Sequence, residues 1–527
     1  MIERLRKALA AAVARAGEEH GFTMVVVMGV LLVATAFSVA AIAAADNDDP
    51  QARKDTDSKQ AYAAAEAGIN YYVFHLNNDN AFWSACTHSS DINLPAPTGL
   101  NQAGQAVPTS WRTVPGASSQ FAIELLPANG AAQCDPNNAQ LTMIDQNSGT
   151  FRIRSTGLAN GVRRSIVATF KRRGFLDYVW FTDYEIRDPL VSGDPASCVK
   201  HIWEGRPNGC AEVNFVSGDN MQGPMHTNDQ FLICGTPTFG RSGGNDKIEA
   251  TDPNKIWRSN GACGAGNPTT NGAQIPGAPL MSLPPSNASL ASLASGTFKP
   301  TGRIDIELRS SPPKICMRPM PAYPKYWTQN VTPYTCYDPP ANGVLYVQSS
   351  TCGVTYDQND PYNVPNTCGE AWVHGSYASN LTIGADKDVV VDGDVIRSGN
   401  SMLGLIANNF VRVYHPITSS CTNDTAAGSG LLGNLEVDAA ILSLNHSWAV
   451  DNFGCGASLG TLTVQGAIAQ KYRGTVGTTA GTGYIKSYQY DDRLVFRSPP
   501  SFLDPVQTSW RIARYNEQLP ASTLAGP

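Results

Sequence analysis

The stretch HGFTMVVVMGVLLVATAFSVAAIAAAD, His20 to Asp46, decides how the chain is read. From Phe22 to Ala45 no residue is charged. At the helical rise of about 1.5 Å per residue, such a run covers roughly 36 Å, enough for the hydrocarbon core of a bilayer. Taken alone, it predicts one membrane span over 22–45. A secretory signal would place a charged tip, a shorter apolar core and a small-residue cleavage site in that order. Here a leader over 1–21 carries Arg4, Arg6, Lys7 and Arg15, ends in Glu18, Glu19, His20 and Gly21, and meets the apolar run abruptly at Phe22. Basic residues ahead of the span predict a cytoplasmic leader and an extracytoplasmic remainder. The location expected is the cell membrane, crossed once, with membrane lipid as a partner.

The junction of Gly21 and Phe22 behind a basic leader resembles the cleavage site of type IV prepilins. Glycine ahead of the cut can take the extended backbone that a protease grips. The resemblance implies that prepilin peptidase cuts between Gly21 and Phe22, leaving the apolar helix on the mature chain. It also implies partners among other pilin subunits and the pilus assembly machinery. The plain alternative is an amino-terminal anchor that is never cut. Further along, Gln60 to Tyr72, with Ala63-Ala64-Ala65-Glu66-Ala67-Gly68, resembles the AAEAG stretch at the end of the PilX-type minor pilin amino-terminal domain. The likeness covers about Gly21 to Asn78. One position departs from the pilin pattern: most major pilins have Glu at the fifth mature position, and here it is Val26. K-type minor pseudopilins share that loss, which implies a place at the filament tip and not in its shaft.

Length and composition bound the remainder. The 527 residues leave room for about three units. Only 16% of residues are charged, and 48 Gly with 35 Pro argue for a turn-rich, β-rich bulk. A net charge of −6 and no long basic block argue against nucleic acid as a partner. None of the twelve cysteines forms a C-x-x-C pair, which argues against zinc, and their even number suggests disulfides in an oxidising compartment. Pairing of consecutive cysteines, beginning with Cys86–Cys134 and Cys198–Cys210, is favoured, although spacing alone does not fix connectivity.

Asp46 to Pro50 predicts a break and a new helix start. Tyr62, Ala65, Ile69, Tyr72, Val73 and Leu76 then form an apolar stripe that must lie on something. Strand candidates follow at Phe121 to Leu125, Phe151 to Ser155 and Val162 to Phe170, the last two joined through Asn160-Gly161. Beyond Phe175 the texture is short β-branched runs cut by glycine. Gly375 and Gly393 stand 18 residues apart in like surroundings, and Gly466 follows after 73, close to four such steps.

The fold class expected is α+β. A long hydrophobic amino-terminal helix with a small antiparallel, pilin-like sheet precedes a large all-β domain, read as a parallel β-helix with a β-sandwich as the alternative. The organisation expected is a leader over 1–21, a transmembrane or filament-core helix over 22–45, a pilin-like helix plus sheet over 46–174, a β-rich head over 175–510 and a flexible tail over 511–527. Pro276 to Leu293 reads as a surface connection.

Two catalytic-looking patterns fail on context. Gly456-Ala457-Ser458-Leu459-Gly460 is followed by a strand where a nucleophile elbow needs a helix. Gly428 to Gly433 matches a dinucleotide fingerprint but follows a polar stretch and not a strand. Asp388, Asp392 and Asp394 are the carboxylates that a β-helix enzyme acting on polysaccharide would need, and a solvated face explains them equally well. His226, His374, His415 and His446 read as turn or surface residues. No catalytic, metal or cofactor residue is assigned. The function expected is a non-enzymatic, membrane-anchored minor pilin acting in pilus assembly or surface adhesion, with surface or cell-wall glycan as a partner of the head. The alternative is a membrane-anchored polysaccharide-active β-helix enzyme.

Overall fold

The computed structural model describes residues 23–78, 82, 111–126, 143, 150–172, 174–263, 266–321, 332–425, 433–495, 497–506 and 510–518. One long helix, Thr23–Asn78, opens this part of the chain. It runs through Asp46 to Pro50 without ending, where the sequence predicts a break. A proline inside a helix removes one hydrogen bond of the ladder, and packing further along can hold the rest.

The carboxy-terminal half of this helix lies on a five-stranded antiparallel sheet. The strands are ordered Arg112–Thr113, Gln120–Leu126, Thr150–Ala159, Val162–Arg172 and Trp510–Gln518. Asn160 and Gly161, both at positive φ, turn the central hairpin, in which Ala159 pairs with Val162. Small residues set the contact. A Cβ on Gly157 would stand 1.9 Å from the carbonyl of Ala61, and one on Gly68 would stand 2.1 Å from Ser155 Oγ. The AAEAG stretch therefore brings helix backbone directly onto the sheet. Ile69, Tyr72 and Leu76 then fill the space over Phe151, Ile153, Ile166 and Phe170. Each side chain of this size that is fully buried contributes about 1.5–3 kcal/mol.

The fifth strand changes the organisation. Residues from 511 onward are predicted as a flexible tail, yet Trp510–Gln518 pairs with Val162–Arg172, and Trp510 is buried against Phe151. The large β region is thus inserted between the fourth and fifth strands of the sheet. Lys171 clamps the junction: its ammonium donates to the carbonyl of Leu494 and stands 3.9 Å from Asp177.

The inserted head is built of parallel ladders. One runs in space through Val344–Val347, Leu381–Ala385, Leu403–Ala407, Ala440–Ser443, the later part of Ser458–Arg473, Trp180–Arg187, Met225–Thr227, Lys247–Ala250 and Ala273–Pro276. A second stacks Arg303–Ser310, Glu370–Tyr377, Val389–Arg397, Leu435–Val437, the earlier part of Ser458–Arg473, Gly483–Tyr490 and Asn220–Gln222. Spatial and sequence order differ because the chain enters mid-stack. It winds outward from Trp180 to Pro276, crosses back along the head, and winds inward from Arg303 to Tyr490 until Ile468 pairs with Trp180. These parallel ladders exclude the sandwich alternative, whose sheets are antiparallel. The antiparallel strands Pro313–Pro319 and Thr335–Tyr337, joined by Cys316–Cys336, cover the first edge.

The rungs are uneven. Val373 pairs with Val391 after 18 residues, but Val395 pairs with Val437 and Val437 with Val464. The 73 residues from Gly393 to Gly466 therefore hold two steps on this ladder, and not four, because a long excursion lies between them. Pro276 to Leu293 is also more than a surface connection. Met281 and Leu290 are buried against Tyr346, Ile406 and Leu442, and buried Asn287 donates to the carbonyl of Ala385 at 2.9 Å.

Two expectations are corrected. Strands hold 41% of the structure and helix 17%, so the chain is mostly β and not an α+β protein led by a long hydrophobic helix. Among the described residues no helix is long and apolar enough to cross a membrane, which overturns the single-pass membrane placement. The helix taken whole is not uniformly apolar. Its apolar start continues into a charged middle, with Arg53, Lys54, Asp55, Asp57 and Lys59, and then into a half that is apolar on one face only.

Candidate functional site

The expected cleavage residues, Gly21 and Phe22, lie outside the described residues. The helix immediately beyond them presents a surface of its own. Val27, Met28, Val30, Leu31, Leu32, Val33 and Phe37 are all exposed, with Leu32 at 70% and Phe37 at 74%. The hydroxyls of Thr35 and Ser38 donate back to the carbonyls of Leu31 and Ala34 at 2.8 Å, so the polar residues of this stretch are satisfied within the helix. What remains facing outward is apolar. Contiguous exposed apolar surface of this kind marks an interaction site in a folded protein.

The carboxylates singled out in the sequence go to separate partners. Asp388 is buried, accepts from the backbone N of Phe410 at 3.1 Å and pairs with Arg412 at 3.3 Å. Arg412 is itself buried and also meets Asp451 at 2.7 Å and Glu370 at 3.2 Å. Burial alone would raise Glu370, but Arg303, Arg412 and Lys387 outweigh it and hold its carboxyl down to about 2. This is a structural ion network inside the head. Asp394 accepts from the backbone N of Glu436 at 2.9 Å.

Asp392 is the exception. It meets His374 Nδ1 at 3.1 Å, and Asp305 Oδ1 stands 3.6 Å from the same nitrogen. Ligand atoms of Asp305, His374 and Asp392 all lie within 4.8 Å of one another, a spacing that a metal ion could bridge. Their electrostatics supply another solution. Burial disfavours the imidazolium, but its hydrogen bond to Asp392 and the charges of Asp392, Asp305 and Glu307 hold the His374 pKa up to about 9. At neutral pH the charged imidazole therefore bridges the two carboxylates. Arg318 and Tyr334 donate to Asp305 Oδ2, each at 2.7 Å. Asp305 was missed in the sequence, although Arg303-Ile304-Asp305-Ile306-Glu307-Leu308 alternates as an outward-facing acidic strand should.

The histidines are not surface residues as a group. His226 is buried between Glu249 and Asn228, and His415 is buried between the carbonyl of Asp451 and Asn423. His446 bonds Asp188 at 2.9 Å and stacks on Phe410. Ser458 is exposed at the start of a strand, and residues 428–432 lie outside the described residues. Five disulfides join Cys198–Cys210, Cys234–Cys263, Cys316–Cys336, Cys352–Cys368 and Cys421–Cys455. Cys86 and Cys134 lie outside the described residues.

No protein-family model and no curated protein matches the chain. Among solved structures, the competence-associated pilin ComZ from Thermus thermophilus is similar over 88% of this chain and 98% of its own, at 12% identity and a TM-score of 0.25. A likeness at that score carries no argument about fold or function.

Proposed function

We propose that this chain is a non-enzymatic, pilin-like filament subunit. The exposed apolar start of its helix is the assembly surface, and its inserted β-rich head is the part displayed. The carrying observation is the division of Thr23–Asn78 into two halves: one face of the later half is buried on the sheet, while the apolar side chains between Val27 and Phe37 have no cover among the described residues. Packing against the same helix of neighbouring subunits would bury that surface. The proposed partners are other pilin subunits, the assembly machinery, prepilin peptidase acting between Gly21 and Phe22, and a surface or cell-wall glycan at the head. Five disulfides support a working place outside the reducing cytosol. Against an enzymatic role, Asp388, Asp392 and Asp394 serve separate structural partners.

Mass spectrometry of the mature amino terminus tests the processing step. The wild type should begin at Phe22 and Gly21→Glu should remain uncut. A Gly21→Glu chain that still begins at Phe22 would remove prepilin processing from the account.

A further inference from the structure

Two cavities adjoin on the side of the head where its two wound segments meet. One, of about 300 Å³, is lined in part by Tyr356, Phe410, Arg412 and Arg473. The other, of about 220 Å³, is lined in part by Asn214, Thr478, Tyr484 and Lys486. Arg187, Phe453 and Thr475 line both.

Arg187 differs from the other arginines here. Arg412 pairs with three carboxylates and Arg473 pairs with Glu185 at 2.8 Å. Among the described residues Arg187 makes no ion pair, and its buried Nε has no hydrogen-bond partner. Its guanidinium carbon stands 5.7 Å from the centroid of the Phe453 ring. Thr475, at 7% exposure, likewise holds an Oγ1 with no partner. A buried donor without a partner is costly, and a guanidinium is best satisfied by a planar oxyanion.

The rim is held in place before any ligand arrives. Cys421–Cys455 ties down the loop carrying Phe453, and Asn452 donates to the carbonyl of His415 at 2.8 Å. Cys352–Cys368 closes the loop that carries Tyr356, Gln358 and Asn359, and Tyr356 donates to Asp451 at 3.0 Å. Such preorganisation lowers the entropic cost of binding. The chemistry is mixed: one cation without an ion pair, the unpartnered hydroxyl of Thr475 beside those of Ser447 and Tyr356, aromatic rings, the amides of Gln358, Asn359 and Asn452, and the carboxylate of Asp188, which is already engaged by His446 and Ser447. A single cation suits one negative charge and not a polyanion, whose phosphates require a row of cations. Rings and amides together suit the C–H face and the vicinal hydroxyls of a pyranose.

We propose that these adjoining cavities bind a carboxylate-bearing sugar of a glycan, with its carboxylate on Arg187 and Thr475 and its ring against Phe453. The proposal rests on the reading of the head as a displayed surface and does not depend on filament assembly. Binding by the purified full chain therefore tests it separately from incorporation into filaments.

The test is calorimetric titration of the full chain with three probes: a glucuronate-terminated oligosaccharide, its carboxyl-reduced neutral counterpart, and inorganic phosphate. The glucuronate probe should bind, and its neutral counterpart should bind at least about tenfold more weakly, as loss of a charge-assisted pair implies. Arg187→Gln should cost a similar factor while leaving the melting temperature unchanged, since it orphans no carboxylate. Thr475→Val should weaken binding about threefold yet stabilise the free protein, because it removes an unpartnered buried hydroxyl. Arg241→Gln, at a residue that lines neither cavity, should bind as the wild type does. The proposal is overturned if no glucuronate binding is seen, if the neutral counterpart binds as well, if Arg187→Gln retains full affinity, or if phosphate binds in preference to glucuronate.

Discussion

The helix-on-sheet module and the inserted head solve the same problem in opposite ways. In the module, antiparallel strands close in sequence pair through a tight turn, and one helix covers the sheet through glycine and alanine contacts. Between helix and sheet its interior is an apolar cluster, from Ile69 and Tyr72 to Phe170 and Trp510, with the buried charges Glu124 and Lys171 in its strands. In the head, parallel strands pair across excursions of very different length, and buried charges such as Arg412 with Glu370, Asp388 and Asp451 link one rung to the next. The module gains from local fit and the head from repetition. Because the head leaves and re-enters through Lys171 and Trp510, the two must nevertheless fold as neighbours.

The contrast is broken most severely at Arg412. Arg412→Met would leave buried Asp451 without a cationic partner among the described residues and would take one of the cations from Glu370 and Asp388, and the head should lose about 3–5 kcal/mol in chemical denaturation. The module should keep its amide protection in hydrogen exchange. A head that loses nothing would show that the ion network is incidental. Trp510→Ala acts on the other side, costing about 3 kcal/mol through a cavity under the returning strand. Exchange should then rise over 150–172 and stay low over 381–407, and a uniform rise would erase the distinction between the two regions. Replacing Cys421 and Cys455 together by Ser should cost the head about 2–4 kcal/mol. The described cysteines should also resist alkylation in the native, unreduced protein.

The smallest effect is set by pH. The His374 pKa is raised from 6.5 unfolded to about 9 folded, so its stabilisation is fully present below pH 6.5 and is lost as pH rises through about 9. His374→Gln should flatten the pH dependence of head stability in that window. An unchanged slope would contradict the bridging role between Asp392 and Asp305.

How much of this was legible in the sequence follows the same division. In the module, Asn160-Gly161 between alternating strands announces its hairpin, and the stripe from Ala65 to Leu76 announces a helix needing a sheet. Local chemistry carried those readings. The return of Trp510–Gln518 was not legible, because nothing local in a carboxy-terminal segment names a partner some 350 residues earlier. In the head, Val373 and Val391 showed one rung, but unequal excursions hid the others. Asp388 looked like a surface carboxylate because a buried ion pair and a solvated face read alike until Arg412 is brought beside it. The apolar run was read from Phe22 to Ala45 as a unit, whereas the helix continues through a charged middle to Asn78.

Val27 to Phe37 is proposed as the assembly surface. It is tested most directly by immunoblotting the head in filaments sheared from cells that express either the wild type or Phe37→Asp. The wild type should be recovered in the sheared filaments. Phe37→Asp should be absent from them while its head, far from the substitution, keeps its native melting temperature. Equal recovery of both chains, or wild-type chain that never enters filaments, would contradict the account.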